Sequence, residues 1–457
     1  MPKLATVKHP LLMDSTSKRK HHISRTGALI FAIGSLSIFL LSFSLSQTIA
    51  QEKSNWIKFN TDKKPYTPWE ASKHLSFGLT IEMDFQSAKN LDLDNSKNDD
   101  ETEFEPTVSF GVQYDDNSHI RAYAEFEISK EFGLDNTNNT SDAKLEINQA
   151  YLTYHSSDEN LAFTLGRWSV SDPREWLFDE ELDGALFTWR NSRLAFEAMY
   201  AREQLVQKDL FGEHDGNEPD YYYTRLSARV FDQSTASVYG LFQQGRTATD
   251  PDLYWLGGSL AGKTGEGTNY WVGAASVHGT EKGRDVRGYG ADVGFTKKFI
   301  NMFWEPRFTA SFTFGSGDDG TGTDTAYRQT GIQGNEGRFG GRKSFKYYGE
   351  VFDPELSNIV VTTLGVGFDL KKKTSIDFVL HNYFQHRAST QIRDSNLDAK
   401  PSGISRQLGN ELDIILGYRG HKNFKADLTL GVFIPGAAFA NNDDPAWFIG
   451  IEFEKKF

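Results

Sequence analysis

The chain has 457 residues, 41 Gly, 13 Pro, no Cys, 14% aromatic side chains and a formal charge of −13. Zero Cys excludes a disulfide framework, thiolate metal sites and a lipoprotein cysteine anchor. Residues 1–50 hold six Lys/Arg and one Asp, leaving 43 basic against 61 acidic residues, and that balance of −18 excludes general nucleic-acid binding.

The first 50 residues read as an address. Lys18, Arg19, Lys20 and Arg25 precede an apolar run from Gly27 to Leu45, and Thr48-Ile49-Ala50 supplies small residues for cleavage. Residues 51–73 are polar, with Pro65 and Pro68, and read as a periplasmic lead-in. Strands follow at once. Leu75, Phe77, Leu79, Ile81, Met83 and Phe85 alternate with Ser76, Gly78, Thr80, Glu82, Asp84 and Gln86. A period of two over that length is no helix, and it meets the 9 to 11 residues that a membrane-crossing strand needs. The pattern returns from Ile120 to Ile128, Arg307 to Phe314, Glu411 to Tyr418 and Asp427 to Ile434.

The connections alternate between short and long. Short turns fall at Asp115–His119, Ser156–Asn160, Asn191–Arg193, Asp232–Thr235, Lys263–Thr268, Lys371–Thr374 and Gly420–Asn423, with a longer one from Ile300 to Pro306. Long polar connections lie between them. Bacterial outer-membrane barrels have this asymmetry, with short periplasmic turns, long extracellular loops and an even strand count. Pattern alone offers 19 strands. Treating Ser344–Phe352 as loop keeps every later turn on its proper side and gives about 18. The chain ends PAWFIGIEFEKKF, with Trp447, Ile449, Ile451, Phe453 and Phe457 on one face. That ending matches the signal by which outer-membrane assembly machinery takes up its clients. The expectation is an all-β transmembrane antiparallel barrel over residues 74–457, in the cell outer membrane among lipid and lipopolysaccharide.

At about 18 strands the lumen is too wide for side chains to fill, so it holds water, a folded-in loop, or both. Inward parity sets Arg121, Arg225, Arg229, Arg307, Arg387 and Arg419 against Glu82, Asp84, Glu125, Glu127, Asp377 and Asp413, with Glu411 on the same face as Asp413. A solvated wall with compensating charges accounts for each of these singly. The sharper reading makes some of them a selectivity ring.

The stretch YRQTGIQGNEGRFGGRKSFKYYGEVFDPELSN, Tyr327 to Asn358, is Gly-rich and basic, and lies in one extracellular loop near 316–357 expected to fold toward the pore. Its bulky anchors are Phe339, Phe345, Tyr347, Tyr348 and Phe352. The pieces RQTG, RFGGR, YYGE and DPELSN resemble the alginate-export family of outer-membrane barrels. So do Gly166–Trp189 (GRWSVSDPREWLFDEELDGALFTW) and Leu408–Phe439. The resemblance implies passive export of an anionic exopolysaccharide, an alginate-like polyuronate, with periplasmic polysaccharide-secretion proteins as further partners. Each uronate carries a carboxylate that an Arg fork binds bidentately, so Arg338, Arg342 and Lys346 are the loop candidates, beside Lys343. A solvated loop with incidental charge is the bland alternative. In the second block, Arg167 falls on the lipid-facing parity and reaches the lumen only through a bulge at Gly166; Asp179 and Asp183 are expected to meet lumen or loop basics. Alginate exporters place basic residues on the first, fourth and penultimate strands, where this chain has Glu82, Asn148 and Thr429. A general porin for small or oligosaccharide solutes is the alternative function.

Two motifs carry little. GSGDDG at Gly315 follows a strand and precedes no helix, unlike a dinucleotide fingerprint. The run Asp92 to Glu103 has EF-hand-like spacing, but Lys97 replaces the turn Gly. A surface Ca²⁺ at the acidic loops is the one cofactor these ligand types admit. No nucleophile block stands out, so no catalytic residue is expected.

Overall fold

The computed structural model describes residues 65–97, 100–134, 141–172, 174–212, 216–231, 233–247, 250–371, 373–439 and 443–457. The address read over 1–50 and most of the lead-in lie outside the described residues.

Eighteen long strands make one closed antiparallel sheet among the described residues. They are β1 (Leu75–Lys89), β2 (Glu101–Asp115), β3 (Ile120–Ser129), β4 (Lys144–His155), β5 (Leu161–Ser171), β6 (Asp179–Arg190), β7 (Leu194–Arg202), β8 (Asp220–Phe231) and β9 (Ser234–Gln244). The ring continues with β10 (Asp252–Thr264), β11 (Thr268–Glu281), β12 (Arg284–Lys298), β13 (Arg307–Gly315), β14 (Ile359–Lys371), β15 (Thr374–Gln385), β16 (Gln407–Tyr418), β17 (Phe424–Pro435) and β18 (Ala446–Lys456). Each pairs with its sequence neighbours, and β18 closes on β1 through Thr80↔Lys456 to Lys89↔Trp447. Closure is what lipid demands: no edge is left with unbonded N–H or C=O groups. The stretch Ser344–Phe352 contributes no barrel strand; only Phe345–Lys346 pairs, with Glu336–Gly337, inside the loop.

The register fixes two faces. Val108, Phe110, Phe312, Leu364 and Val366 stand on the outer face, each more than a third exposed, as lipid-facing side chains must be. The opposite parity faces the lumen. There the loop between β13 and β14, residues 316–358, supplies what a wide barrel lacks, a packed apolar core. Phe339 stacks on Trp271 at 6.1 Å and Tyr347 at 6.0 Å, and meets Phe345 edge-on at 4.9 Å. Phe352 meets Tyr383 of β15 at 4.9 Å and Phe433 of β17 at 5.4 Å. Fully burying each such ring stabilises the docked loop by roughly 1.5–3 kcal/mol.

The loop crosses the whole lumen. It starts and ends at the extracellular rim, and its Gly340–Lys343 tip reaches the periplasmic end. There Arg342 N–H donates to Ser375 Oγ (2.7 Å), and Arg419 donates to Arg342 C=O (3.2 Å). Gly340 has φ +90°, and a Cβ on Gly341 would lie 2.3 Å from Asp377 Oδ2, so the RFGGR pair lets the tip lie on the wall. Residues 65–67 also enter the lumen at its periplasmic end, where Thr67 Oγ1 bonds Ser76 Oγ (2.9 Å) and Gln113 Oε1 (3.1 Å).

Candidate functional site

The loop is latched to the wall by polar groups as well as rings. Glu411 accepts the Val351 N–H (2.7 Å), the Phe352 N–H (3.1 Å) and the Tyr383 hydroxyl (3.0 Å), and is 1% exposed. Asp413, two residues on, is fully buried 3.3 Å from His381 Nε2. Trp255 Nε1–H donates to Arg328 C=O (2.8 Å). Gln329 donates to Trp176 C=O (3.0 Å) and accepts from Leu356 N–H (2.9 Å), tying the rising and returning limbs of the loop together. The β5–β6 connection reaches in from the other side. Arg174 lies between two rings, 3.6 Å from the centre of Tyr347 and 4.3 Å from that of Trp271, and donates to Asp292 (2.7 Å).

These contacts fill the side of the lumen under β10 to β17. Two spaces remain along the other side, under β17, β18 and β1 to β5. The first, about 410 Å³, lies between the loop and the wall and is lined by Asp84, Arg338, Lys343, Lys346, Arg419, Lys425 and Glu452 among others. Most of its cations are paired: Lys343 with Glu452 (3.2 Å), Lys346 with Asp353 (3.4 Å) and Glu336 (3.7 Å), Arg419 with Asp427 (2.5 Å) and Lys425 with Glu454. Arg338 is the exception among the described residues. Its side chain is exposed and bonds only Ser344 Oγ (3.2 Å). Burial pushes the Glu350 carboxyl at this space up to about 8, against the pull of Lys343. The second space, about 340 Å³, is lined mainly by hydroxyl, amide and aromatic groups of β1 to β5.

The sequence candidates divide accordingly. Arg338 and Lys346 line the first space, and Arg342 reaches the tip beside Asp369 (4.0 Å), its side chain 38% exposed. Asp179 lies with Glu175 against Gly334 of the loop and feels the charge of Lys346. Arg121 faces the lumen beside Asp115 (3.6 Å), and Arg225 is held by Glu197 (2.6 Å). Arg307 is 1% exposed and bound to Asp369 (2.7 Å) and Asp377 (2.8 Å), a structural pair rather than an open cation. Glu411 and Asp413 are buried under the loop, and Glu411 anchors it.

Two assignments are corrected. Arg387 follows β15 in the extracellular connection, exposed and bonded through its backbone to Asn358, because β15 ends at Gln385. Arg167 keeps its outward parity: Gly166 has φ +118°, but the β5–β6 register runs unshifted through Arg167↔Asp183. Its guanidinium is closed off by Asp183 (2.7 Å) and by the carbonyls of Ile147 and Val206. At this height β4 leaves β5 and bonds residues 208–210 instead, through Ile147 N–H to Lys208 C=O (3.0 Å) and Leu210 N–H to Leu145 C=O (2.9 Å). In the acidic loop, the Lys97 amine lies 2.9 Å from Asp92 and 3.0 Å from Asp94, where a cation would sit.

Arg174, Asp292, Trp255, Trp271 and Gln329 escaped the sequence reading. Arg174 and Gln329 stand inside the quoted blocks SDPREW and RQTG. The other three stand on strands where period-two alternation makes them merely inward-facing.

A profile of the family described as alginate export matches residues 73–447. The chain belongs to the alginate-export family. One curated relative, the alginate production protein AlgE of Pseudomonas aeruginosa, is 25% identical over 220 residues, which span 43% of this chain and 42% of the relative. The match thus covers less than half of that protein's length. Among solved structures, outer-membrane porins share the fold. Acinetobacter baumannii OccAB2 has a TM-score of 0.57 at 12% identity, covering 84% of this chain and 98% of that one. Pseudomonas aeruginosa OpdK, solved with vanillate, has a TM-score of 0.56 at 10% identity, covering 88% and 100%. Family and fold are those of channels, and the alginate-export family places the chain in the outer membrane.

Proposed function

We propose that this outer-membrane barrel lets an anionic exopolysaccharide, alginate or a related polyuronate, pass without energy input from periplasm to cell exterior. The observation that carries the reading is the basic face of the loop. Arg338 opens into the first space with only a hydroxyl partner, beside Lys343 and Lys346, within a barrel of the alginate-export family. Pairing weakens the other cations. A polymer would therefore bind by short-lived exchange of carboxylates for Glu452, Asp353 and Glu336, weak enough to release. The opposing wall carries Glu82, Asp84, Glu105 and Glu454, and this acidic face favours the second reading, a general porin for small or oligosaccharide solutes.

The test is single-channel recording in a planar bilayer under a salt gradient with oligouronate added. Polyuronate export predicts transient blocks that Arg338→Ala shortens. A cation-preferring channel indifferent to oligouronate would leave the porin reading.

A further inference from the structure

The second space differs from the first in chemistry. Thr80, Gln149, Tyr151 and Trp168 line it, and among the described residues none of their side chains makes a hydrogen bond. Nor are their polar atoms sealed off, so the Tyr151 hydroxyl and the Trp168 indole N–H open on the space. Unlinked neutral donors and acceptors from β1, β4 and β5 thus converge on one volume. Glu125 adds a carboxylate that already accepts the Tyr123 hydroxyl (2.5 Å). Tyr123 lies flat across Gly111, where a Cβ would be 2.7 Å from its hydroxyl oxygen, so the wall stays low there. Charge is sparse: of the lining residues only Glu125 and Lys456 carry it.

A carboxylate ligand finds no free cation fork in such a surface. A pyranose ring does find partners. Its hydroxyls exchange bound water for the free hydroxyl, amide and indole groups at little cost. We infer that this space is a subsite for the uncharged hydroxyl face of a sugar ring, separate from the carboxylate-reading face at Arg338. The inference deepens the export reading and rests on it in taking the lumen as a saccharide path. The chain would hold a polymer at two points, by carboxylate at the loop and by neutral hydroxyls at the β1–β5 wall.

The probe is β-1,4-mannohexaose, which carries no charge, compared with an oligouronate of equal length on the full-length protein in planar bilayers. The expected result is brief current blocks by the neutral hexamer in the wild type. Gln149→Ala and Tyr151→Phe should each shorten them about fivefold, the effect of one lost hydrogen bond. Arg338→Ala should leave these blocks unchanged while shortening those of the oligouronate. Heat-modified gel migration checks that each variant is a folded barrel. Absence of neutral blocks in the wild type, or blocks unchanged in both wall variants, overturns the subsite. If the neutral hexamer blocks and the oligouronate does not, the subsite stands and the polyuronate reading falls; the converse removes the subsite alone.

Discussion

The two sides of this lumen face the same water and do opposite things with it. Under β10 to β17 the wall offers Trp255, Trp271, Tyr383 and Phe433, and the loop covers them with Phe339, Tyr348 and Phe352 until all are buried. Under β18 and β1 to β5 the wall offers Thr80, Gln149, Glu82 and Glu125 beside Tyr123, Tyr151 and Trp168, and the rings of the loop do not pack on them. A barrel of this width cannot be filled by its own wall side chains. The chain solves that on one side by supplying a core from a loop, and leaves two spaces on the other. Where the loop covers the wall, the lumen is packed; where it does not, the two spaces remain.

The contrast is broken most severely by removing the latch. Glu411→Ala strips a buried acceptor from two loop N–H groups and the Tyr383 hydroxyl, at roughly 1–3 kcal/mol for each buried donor left without a partner. The expected outcome is a released loop in an intact barrel, seen as a large rise in single-channel conductance and new protease cleavage near Gly340. Phe339→Ala comes next. It removes a ring packed on three others and should weaken docking by about 3–5 kcal/mol, measured as a lower temperature for protease sensitivity of the loop.

A milder way to sharpen the contrast is pH. Burial pushes Glu350 and Glu175 up to about 8 and Glu355 up to about 7, so each is held in its neutral form by the docked loop. A carboxyl raised in this way contributes to docking fully below its ordinary value of 4.5 and loses that contribution as pH rises through 7 to 8. The loop should therefore be tightest in acid and loosen on the alkaline side. Conductance should rise between about pH 5 and about pH 9, and Glu350→Gln should flatten part of that rise.

The smallest effect on the fold belongs to the residue most exposed to function. Arg338→Ala touches one hydroxyl and should shift stability by no more than about 0.5 kcal/mol, read from thermal unfolding in detergent. Its effect should appear only in the lifetime of oligouronate blocks.

Much of this barrel is legible in the sequence, and for a physical reason. Period-two alternation and the long/short rhythm of the connections state the faces and the count directly, because lipid permits no other solution. The rhythm also settles Ser344–Phe352 as loop. The site is less legible. Alternation tells that Arg307 and Glu411 point inward but not what they meet there. One is locked between Asp369 and Asp377, the other under Val351 and Phe352. Those partners lie tens of residues away, brought near only by closure of the ring and descent of the loop. Arg387 failed for a simpler cause: the strand stops two residues before it. The neutral groups of the second space leave no mark in sequence, since Thr and Gln at inward positions are what any solvated lumen has.

The most direct measurement uses the absence of native Cys. Single Cys placed on the two sides can be challenged with a charged thiol reagent while current is recorded. Glu105→Cys and Asp84→Cys, half-buried partners on the open side, should react within the recording and step the conductance down. Thr309→Cys and Thr363→Cys, each 1% exposed on the side beneath the loop, should stay silent. Rapid current steps from the β13–β14 positions, with none from β1 and β2, would place the path through the loop-filled side and contradict the account.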